Sequence, residues 1–313
     1  GGPLKDKKVG PIRVVLNNQG VFQIASKTLT LEQGHLELLE HSRIHWTGQL
    51  ENLGSDQQRV SVALGIKIPF VEWFNLAKPL LPPELEQQLK LDGQSQLVVT
   101  NLGISLPPDM ETAHVTLKNF ELSIPRMEFQ QADQYMDIHQ LALSLDSADI
   151  QAGLRDQSAV VKLSALNMGL ERLETSADVE KTVAIRQFSL SLDSTNIQTS
   201  IKNQSAVIEL APLKLGINHL EFPFSLEKTV PDRLQLGPLR MSLAVQPINL
   251  VKFFPQTLNS ELSLSLSQIR LKKDSVVFLE GLKLSPLTVN LSQLKINPKA
   301  QFGLNANVFF TQD

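Results

Sequence analysis

The chain of 313 residues contains no cysteine, which excludes disulfide bonds, thiolate metal sites and a cysteine nucleophile. Aromatic residues make up only 5%, too few for stacking platforms along single-stranded nucleic acid. Charged residues account for 19% and the net charge is −3, so no basic surface indicates a nucleic-acid partner. No run of about 18 apolar residues is present, and we expect no transmembrane helix.

The N-terminal stretch GGPLKDKKVG has no apolar central region and is not a signal peptide. Gly1 and Gly2 resemble a cloning remnant, and strand-like residues follow closely behind them. We therefore interpret the chain as a piece of a longer protein.

Motifs that carry chemistry are also missing. The sequence has no GxGxxG, no GxxxxGK[ST], no GxSxG and no HExxH. His41 and His45 are four residues apart, but residues 43–50 have a strand pattern, which would separate the two side chains by about 13 Å. No loop collects the several oxygens that calcium needs. We expect no enzyme activity, no metal and no cofactor.

What the sequence does contain is apolar residues at every second position. Leucines alternate with serine, alanine and aspartate around residues 141–146, 188–193 and 262–266. This period predicts strands with one apolar face and one face of small polar groups. Turn residues recur about every ten residues, as in an antiparallel meander. We predict a mainly-β fold: an elongated, partly curled antiparallel sheet, open as a groove or taco-like, with a few short helices.

An internal repeat underlies this pattern. Residues 140–174 and 187–221 align without a gap at an offset of 47, with 17 identities in 35 positions. A period of this length is typical of stacked repeat units, here with about four strands each. About twenty strands at roughly 4.8 Å each would give a sheet about 95 Å long.

Helical periodicity is clear in one place. Residues 69–77 have apolar residues at i, i+3, i+4 and i+7, and prolines then end the pattern. A second short helix is predicted from Pro83, and a weaker helical pattern follows Asn249. The predicted organisation is an N-terminal β segment (1–67), a helical insertion (68–90), the repeat-containing β meander (91–246), a short helix (247–258) and a C-terminal β segment (259–313).

The most informative feature is an aliphatic sheet face that is almost free of aromatic residues. If the sheet curls only partly, this face lines a trough that can solvate acyl chains, at about 0.8 kcal/mol per CH₂. The residues predicted to line the groove are Leu143, Leu145, Ile150, Val160, Leu190, Leu192, Ile197, Val207, Leu264 and Leu266. The aromatic stripe of the first helix, Phe70, Trp73 and Phe74, is either a core-facing stripe or a cap or gate over the groove.

Three features resemble the AsmA-like family of bacterial envelope proteins, which includes TamB-type and other bridge-like lipid transporters. They are the long run of alternating strands, the element FNLAKPLLPPEL at 74–85 followed by LDGQ at 91–94, with a partial echo at 248–262, and the segment IHWTGQL at 44–50. The resemblance implies a periplasmic β groove, an inner-membrane anchor outside this chain, and transfer of phospholipid between membranes or support of outer-membrane assembly.

Two functions stay open at this point. The first is a periplasmic module that binds or conducts phospholipid acyl chains, with envelope proteins as further partners. The second is a structural or protein-binding β-repeat scaffold of the cell envelope that moves no lipid. Lipid that co-purifies with the protein would distinguish them.

Overall fold

The computed structural model describes residues 13–55, 58–106, 111–132, 134–153, 155–176, 182–224, 232–252, 254–255, 258–273, 276–296, 302–303 and 306–309. Within these residues the chain forms twenty strands and two α-helices. The strands belong to one large sheet, and every pairing in it is antiparallel. The predicted mainly-β fold, built on an antiparallel sheet with a few short helices, is confirmed.

The strands range in length from two to 21 residues. The first ten are β1 (Val14–Gln23), β2 (Thr28–Leu38), β3 (Ser42–Glu51), β4 (Arg59–Pro69), β5 (Leu89–Asp92), β6 (Gln96–Leu106), β7 (Thr112–Gln131), β8 (Gln134–Gly153), β9 (Ser158–Ser176) and β10 (Thr182–Ser200). The other ten are β11 (Ser205–Leu210), β12 (Leu213–Phe224), β13 (Asp232–Leu236), β14 (Leu239–Val245), β15 (Ile248–Val251), β16 (Phe254–Pro255), β17 (Leu258–Lys273), β18 (Val276–Ile296), β19 (Phe302–Gly303) and β20 (Ala306–Phe309).

Several short strands lie end to end and together take the place of one long strand in the sheet. We call each such place a line. Strands β5 and β6 pair with successive parts of β7, and β11 and β12 pair with successive parts of β10. Strands β13 and β14 likewise share the edge of β17. The described strands therefore form fourteen adjacent lines. Thirteen spacings of about 4.8 Å give a sheet about 62 Å across, so the predicted length of about 95 Å was too large.

Each copy of the 47-residue repeat is built around a β-hairpin. The first copy runs from β8 into β9 and the second from β10 into β11 and β12. A period thus contains two long strand lines, and the predicted four strands per unit was wrong. Glutamines with positive φ recur at the repeat offset: Gln140 and Gln187 inside the strands, at 49° and 53°, and Gln157 and Gln204 in the hairpin turns, at 53° and 49°.

Two lines of irregular pairing cross the central strands. At each irregular line, one residue of a strand is left out of the pairing with the neighbouring strand. In the first irregular line these residues are Asn119, Asp146, Ala165 and Asp193, on β7 to β10. In the second they are Pro125, Gln140, Glu171, Gln187 and Asn218. Every second strand has a positive φ there: Asn119 and Ala165 in the first irregular line, Gln140 and Gln187 in the second. Irregularities of this kind bend a strand and increase its twist, so they divide the sheet into a central strip and two wings.

Helices connect β4 to β5. Helix α1 spans Phe70–Ala77, a 3-10 turn covers Lys78–Leu80, and helix α2 spans Pro83–Gln88. Both predicted helices in this region are confirmed. The short helix predicted at 247–258 was wrong, because Ile248–Val251 and Phe254–Pro255 are strands in the described part of that segment. Pairing of β15 with the edge of β11 supplies backbone hydrogen bonds that outweigh a weak helical pattern.

Candidate functional site

Apolar residues line up across the whole sheet at equivalent positions of neighbouring strands. Directly paired residues lie on the same face, so the strand registers define continuous rows. The central row consists of Leu16, Leu36, Ile44, Ile66, Val99, Phe120, Leu145, Leu166, Leu192, Leu213, Leu243 and Leu262. The backbone register continues this row to Val289 and Val308. We call the face that contains the row the apolar face, and the opposite one the polar face.

A second row runs beside the first. It consists of Ile68, Leu97, Leu122, Leu143, Met168, Leu190, Leu215, Met241 and Leu264. A third row in the central strip contains Leu170, Phe188, Ile217, Leu239 and Leu266. Six of the predicted groove residues are in these three rows, at positions 143, 145, 190, 192, 264 and 266.

Beyond the first irregular line, a further row lies on one wing. It consists of Gly48, Val62, Ile104, Val115, Ile150, Val161, Ile197 and Ile208. Strand β3 pairs without interruption with β4, so Gly48 and Ile44 lie on one face, four residues apart. The predicted residues Ile150 and Ile197 are therefore on the apolar face, together with the central rows.

Val160 and Val207 are not part of this arrangement. Val160 pairs with Gln151 and Gln198, and Val207 also pairs with Gln198. Both valines are therefore on the polar face, and their assignment to the apolar lining was wrong. Each is followed by an aliphatic residue, and the register places that neighbour, Val161 or Ile208, on the apolar face instead.

The apolar face contains no charge over most of its extent. From β1 to β12, no paired position of this face carries Asp, Glu, Lys or Arg among the described residues. The buried Thr195, at 5% exposure, is one of its few polar residues and pairs with Leu163. An uncharged strip that crosses so many strands has the chemistry of a hydrocarbon-binding surface or of a packing interface.

Little of this face is covered. Among the described side chains, only five apolar residues count as buried: Val99, Ala148, Ala184, Ala206 and Leu266. The accessible surface of the chain is 20186 Å², whereas a compact monomer of 34.7 kDa would expose about 13,000 Å². Side chains sealed beneath a second sheet would be mostly buried. The rows thus lack the covering layer that an ordinary sandwich supplies.

Helix α1 sits at one end of this face. The indole Nε1 of Trp73 donates a hydrogen bond to Ser42 Oγ at 2.7 Å, and Ser42 is 3% exposed. By the two-residue alternation, Ser42 is on the same face of β3 as Ile44. Glu72 accepts a hydrogen bond from the backbone of His41 at 3.2 Å and contacts the His41 ring. Phe70, Trp73 and Phe74 are all half-buried, so α1 packs against the sheet end without forming a closed core.

The polar face carries a charged network that the sequence patterns did not reveal. Two rows cross the wing beyond the second irregular line. One is rich in cations, at Arg126, His139, Arg172, Arg186 and His219, and the other in carboxylates, at Glu128, Asp137, Glu174 and Glu221. The signal that could have found it is the repeated spacing of two between charged residues, at 126 and 128, 137 and 139, 172 and 174, and 219 and 221.

Asp137 is the most buried member of this network, at 4% exposure. It accepts hydrogen bonds from Arg126 Nε at 3.3 Å and from Arg126 Nη2 at 3.4 Å, and its Oδ2 is 2.8 Å from His139 Nε2. Burial by itself would raise the pKa of Asp137, but hydrogen bonds from His139, Arg126 and Tyr135 lower that pKa below its usual value. Burial would also raise the pKa of Glu221, but hydrogen bonds from Arg233, His219 and Gln235 leave that pKa below its usual value.

One group of side chains in the described residues has the spacing of a metal site. Glu40, His41 and Glu72 bring ligand atoms within 4.8 Å of one another. Two of the three are exposed, and His41 is already paired with Glu72. Among the described residues, no helix is long and apolar enough to cross a membrane.

No protein-family model, curated protein or solved structure shows significant similarity to the chain.

Proposed function

We propose that this chain is a periplasmic module that binds phospholipid acyl chains on its apolar face and conducts them along the rows. The observation that carries the proposal is the uncharged apolar face. It continues from strand to strand across the sheet and has no covering layer among the described residues. Acyl chains laid on it would gain about 0.8 kcal/mol for each CH₂ removed from water. Bending along the two irregular lines towards the apolar face would turn the rows into the floor and walls of a trough.

The direction of the rows supports conduction as well as binding. They run perpendicular to the strands, so a chain sliding along a row meets leucine, isoleucine, valine, methionine or phenylalanine at each strand. No charge or specific hydrogen bond would hold it at one place. The polar face offers serine and charged groups to water, which suits a module that spans an aqueous compartment.

The resemblance to AsmA-like proteins favours the same interpretation. The proposal includes an inner-membrane anchor outside this chain and a role in lipid transfer to the outer membrane or in outer-membrane assembly. The structural features that this resemblance rests on are the alternating strands and helix α1, which is followed along the chain by β5.

The test is capture of a photoactivatable phosphatidylethanolamine that carries a diazirine on one acyl chain. The wild-type chain should be labelled, and the labelled peptides should contain residues of the central rows. Leu190→Asp places a charge in the second row and should reduce labelling at least tenfold. Ser191→Asp is the matched control, because Ser191 lies next to it on the polar face, opposite Lys214.

The control should fold and retain wild-type labelling. A folded Leu190→Asp variant that is labelled as strongly as the wild type would contradict the proposal. A folded wild-type chain that captures no lipid would also contradict it and would favour the scaffold function, in which another protein covers the apolar face.

A further inference from the structure

We propose that the polar face carries a binding site for the phosphate group of a small hydroxylated molecule, such as a sugar phosphate. The site is a concavity of about 460 Å³ over β10, β12, β14 and β17. This volume is in the range of small-molecule sites, about 300–1,000 Å³. Two cations, Lys214 and Arg240, lie in the lining of the concavity, and among the described residues no carboxylate does.

Most of the other side chains that line the concavity are hydroxyl groups. The strand registers bring together five serines: Ser189, Ser191, Ser242, Ser263 and Ser265. A hydroxyl group can both donate and accept hydrogen bonds, so these serines can bind phosphate oxygens and the hydroxyl groups of a sugar. Their small size also keeps the concavity open.

Arg240 is a cation whose charge is not balanced within the described residues. Its Nη2 donates a hydrogen bond to Asn218 Oδ1 at 2.7 Å, and its Nη1 donates one to the carbonyl of Leu239 at 3.4 Å. Both acceptors are neutral, whereas Arg186 and Arg233 pair with carboxylates. The guanidinium has five N–H donors, so several remain for a ligand.

The strand next to Arg240 fixes the position of its guanidinium. Gly216 is directly opposite Arg240, and a Cβ at this glycine would lie 3.1 Å from Arg240 Nη1. The glycine therefore lets the guanidinium lie close to the backbone of β12. Asn218 also contacts Gln187, and both belong to the second irregular line. A guanidinium held in one orientation can bind phosphate through two parallel hydrogen bonds.

Lys214 approaches the concavity from the first irregular line. Its Nζ donates a hydrogen bond to Oδ2 of Asp193, a residue of that line, at 2.8 Å. Lys214 and Arg240 are diagonal neighbours on β12 and β14, so their Cα atoms are about 7–8 Å apart. At this separation both long side chains can reach one phosphate group. Because Asp193 offsets the charge of Lys214, Arg240 supplies most of the electrostatic attraction.

The first copy of the repeat lacks these cationic groups. Gly216 corresponds to Gly169, which has no side chain packed over it, and Lys214 corresponds to Asn167. The serine at position 191 is matched by Ser144. The two copies thus share small side chains at the base of the polar face, and the second copy together with β14 adds the groups that bind phosphate.

Isothermal titration calorimetry with glucose 6-phosphate tests the site. The wild-type chain should bind this probe saturably at millimolar concentration. Glucose should bind at least tenfold more weakly because it lacks the phosphate group. Inorganic phosphate should also bind more weakly, because it leaves part of the serine lining unused.

Two variants locate the binding to the concavity. Arg240→Gln removes the unbalanced cation and should weaken binding of glucose 6-phosphate at least tenfold. Ser242→Leu changes no charge but fills the space, and it should weaken binding by a similar factor. Lys162→Gln is the matched control, because Lys162 is an exposed cation on the polar face outside the concavity. This control should bind the probe as the wild type does.

A folded wild-type chain that shows no saturable binding of glucose 6-phosphate would overturn the proposal. So would equal weakening in Arg240→Gln and Lys162→Gln, because the attraction would then come from the overall charge. Glucose or inorganic phosphate that binds as tightly as glucose 6-phosphate would overturn it too, since the site would then not read both parts of the ligand. The titrations contain no lipid and are independent of the proposed function.

Discussion

At the scale of single residues, the buried carboxylate of Asp137 shows how the polar face is held together. It is almost fully buried on a sheet face that is otherwise largely open to solvent, and its hydrogen bonds come from Arg126 on β7 and His139 on its own strand. Burying a carboxylate is costly unless it is paired and hydrogen-bonded. These contacts offset that cost and tie β7 to β8 at the wing beyond the second irregular line.

The lowered pKa of Asp137 makes its contribution to stability dependent on pH. Because the pKa in the folded protein is below that of the unfolded chain, about 3.9, the contribution is fully present above about pH 5. It is lost as the pH falls through the folded pKa. Asp137→Asn should cost about 1–3 kcal/mol at pH 7, and its free energy of unfolding should fall less between pH 7 and pH 3 than that of the wild type.

Urea unfolding at the two pH values measures both effects. Asp146→Asn, an exposed change on the same strand, is the control and should behave as the wild type does. An Asp137→Asn variant with an unchanged midpoint at pH 7 would show that the network contributes nothing to stability.

At the scale of elements, helix α1 lies at one end of the apolar face, and its role as a cap or gate for lipid stays a prediction. The hydrogen bond from Trp73 to Ser42 places the indole on the side of β3 that carries Ile44. Helix α1 has no fully buried residue, so Trp73→Ala should cost less than the about 3–5 kcal/mol that is typical of a buried tryptophan.

Tryptophan fluorescence tests the position of α1. In the Trp46→Phe background, Trp73 is the only remaining tryptophan, and phospholipid with brominated acyl chains should quench it. The reciprocal variant, Trp73→Phe, reports on Trp46, which lies on the apolar face of β3, and should be quenched as well. Quenching of Trp46 without any effect on Trp73 would place α1 away from the lipid path.

The repeat is also explained at this scale. Its two copies specify the same hairpin and the same positive-φ glutamines, at Gln140 and Gln187 and at Gln157 and Gln204. Ala165, with a φ of 48°, corresponds to Pro212 at the repeat offset. Proline cannot adopt a positive φ, and the second copy has a break between β11 and β12 at this point, where the first has one continuous strand.

At the scale of the whole molecule, a single extended sheet predicts a particle larger than a compact globule. A compact chain of this length would have a radius of gyration of about 20 Å. With a sheet about 62 Å across and strands of up to 21 residues, small-angle X-ray scattering extrapolated to zero concentration should give a clearly larger value. A radius near 20 Å would mean that the sheet closes on itself and buries the rows.

The sequence by itself determined much of this protein, because alternation and helical periodicity are local. Leucines at every second position were enough to predict the strands and, for residues such as Leu143 and Leu190, the apolar face. The four-residue spacing of Phe70 and Phe74, ended by prolines, was enough for helix α1. The proposed lipid function remains a prediction that these patterns support.

Other features were decided only by the tertiary structure, because they depend on which strands pair and where the register skips a residue. For the adjacent pair Val160 and Val161, the sequence offers two equivalent apolar side chains, and pairing with Ile150 selects Val161. A shift of one residue moves every side chain to the opposite face, so such pairs cannot be assigned locally. Ile248–Val251 became a strand because the edge of β11 was available. The charged rows of the polar face likewise exist only once β7 to β10 and β12 lie side by side.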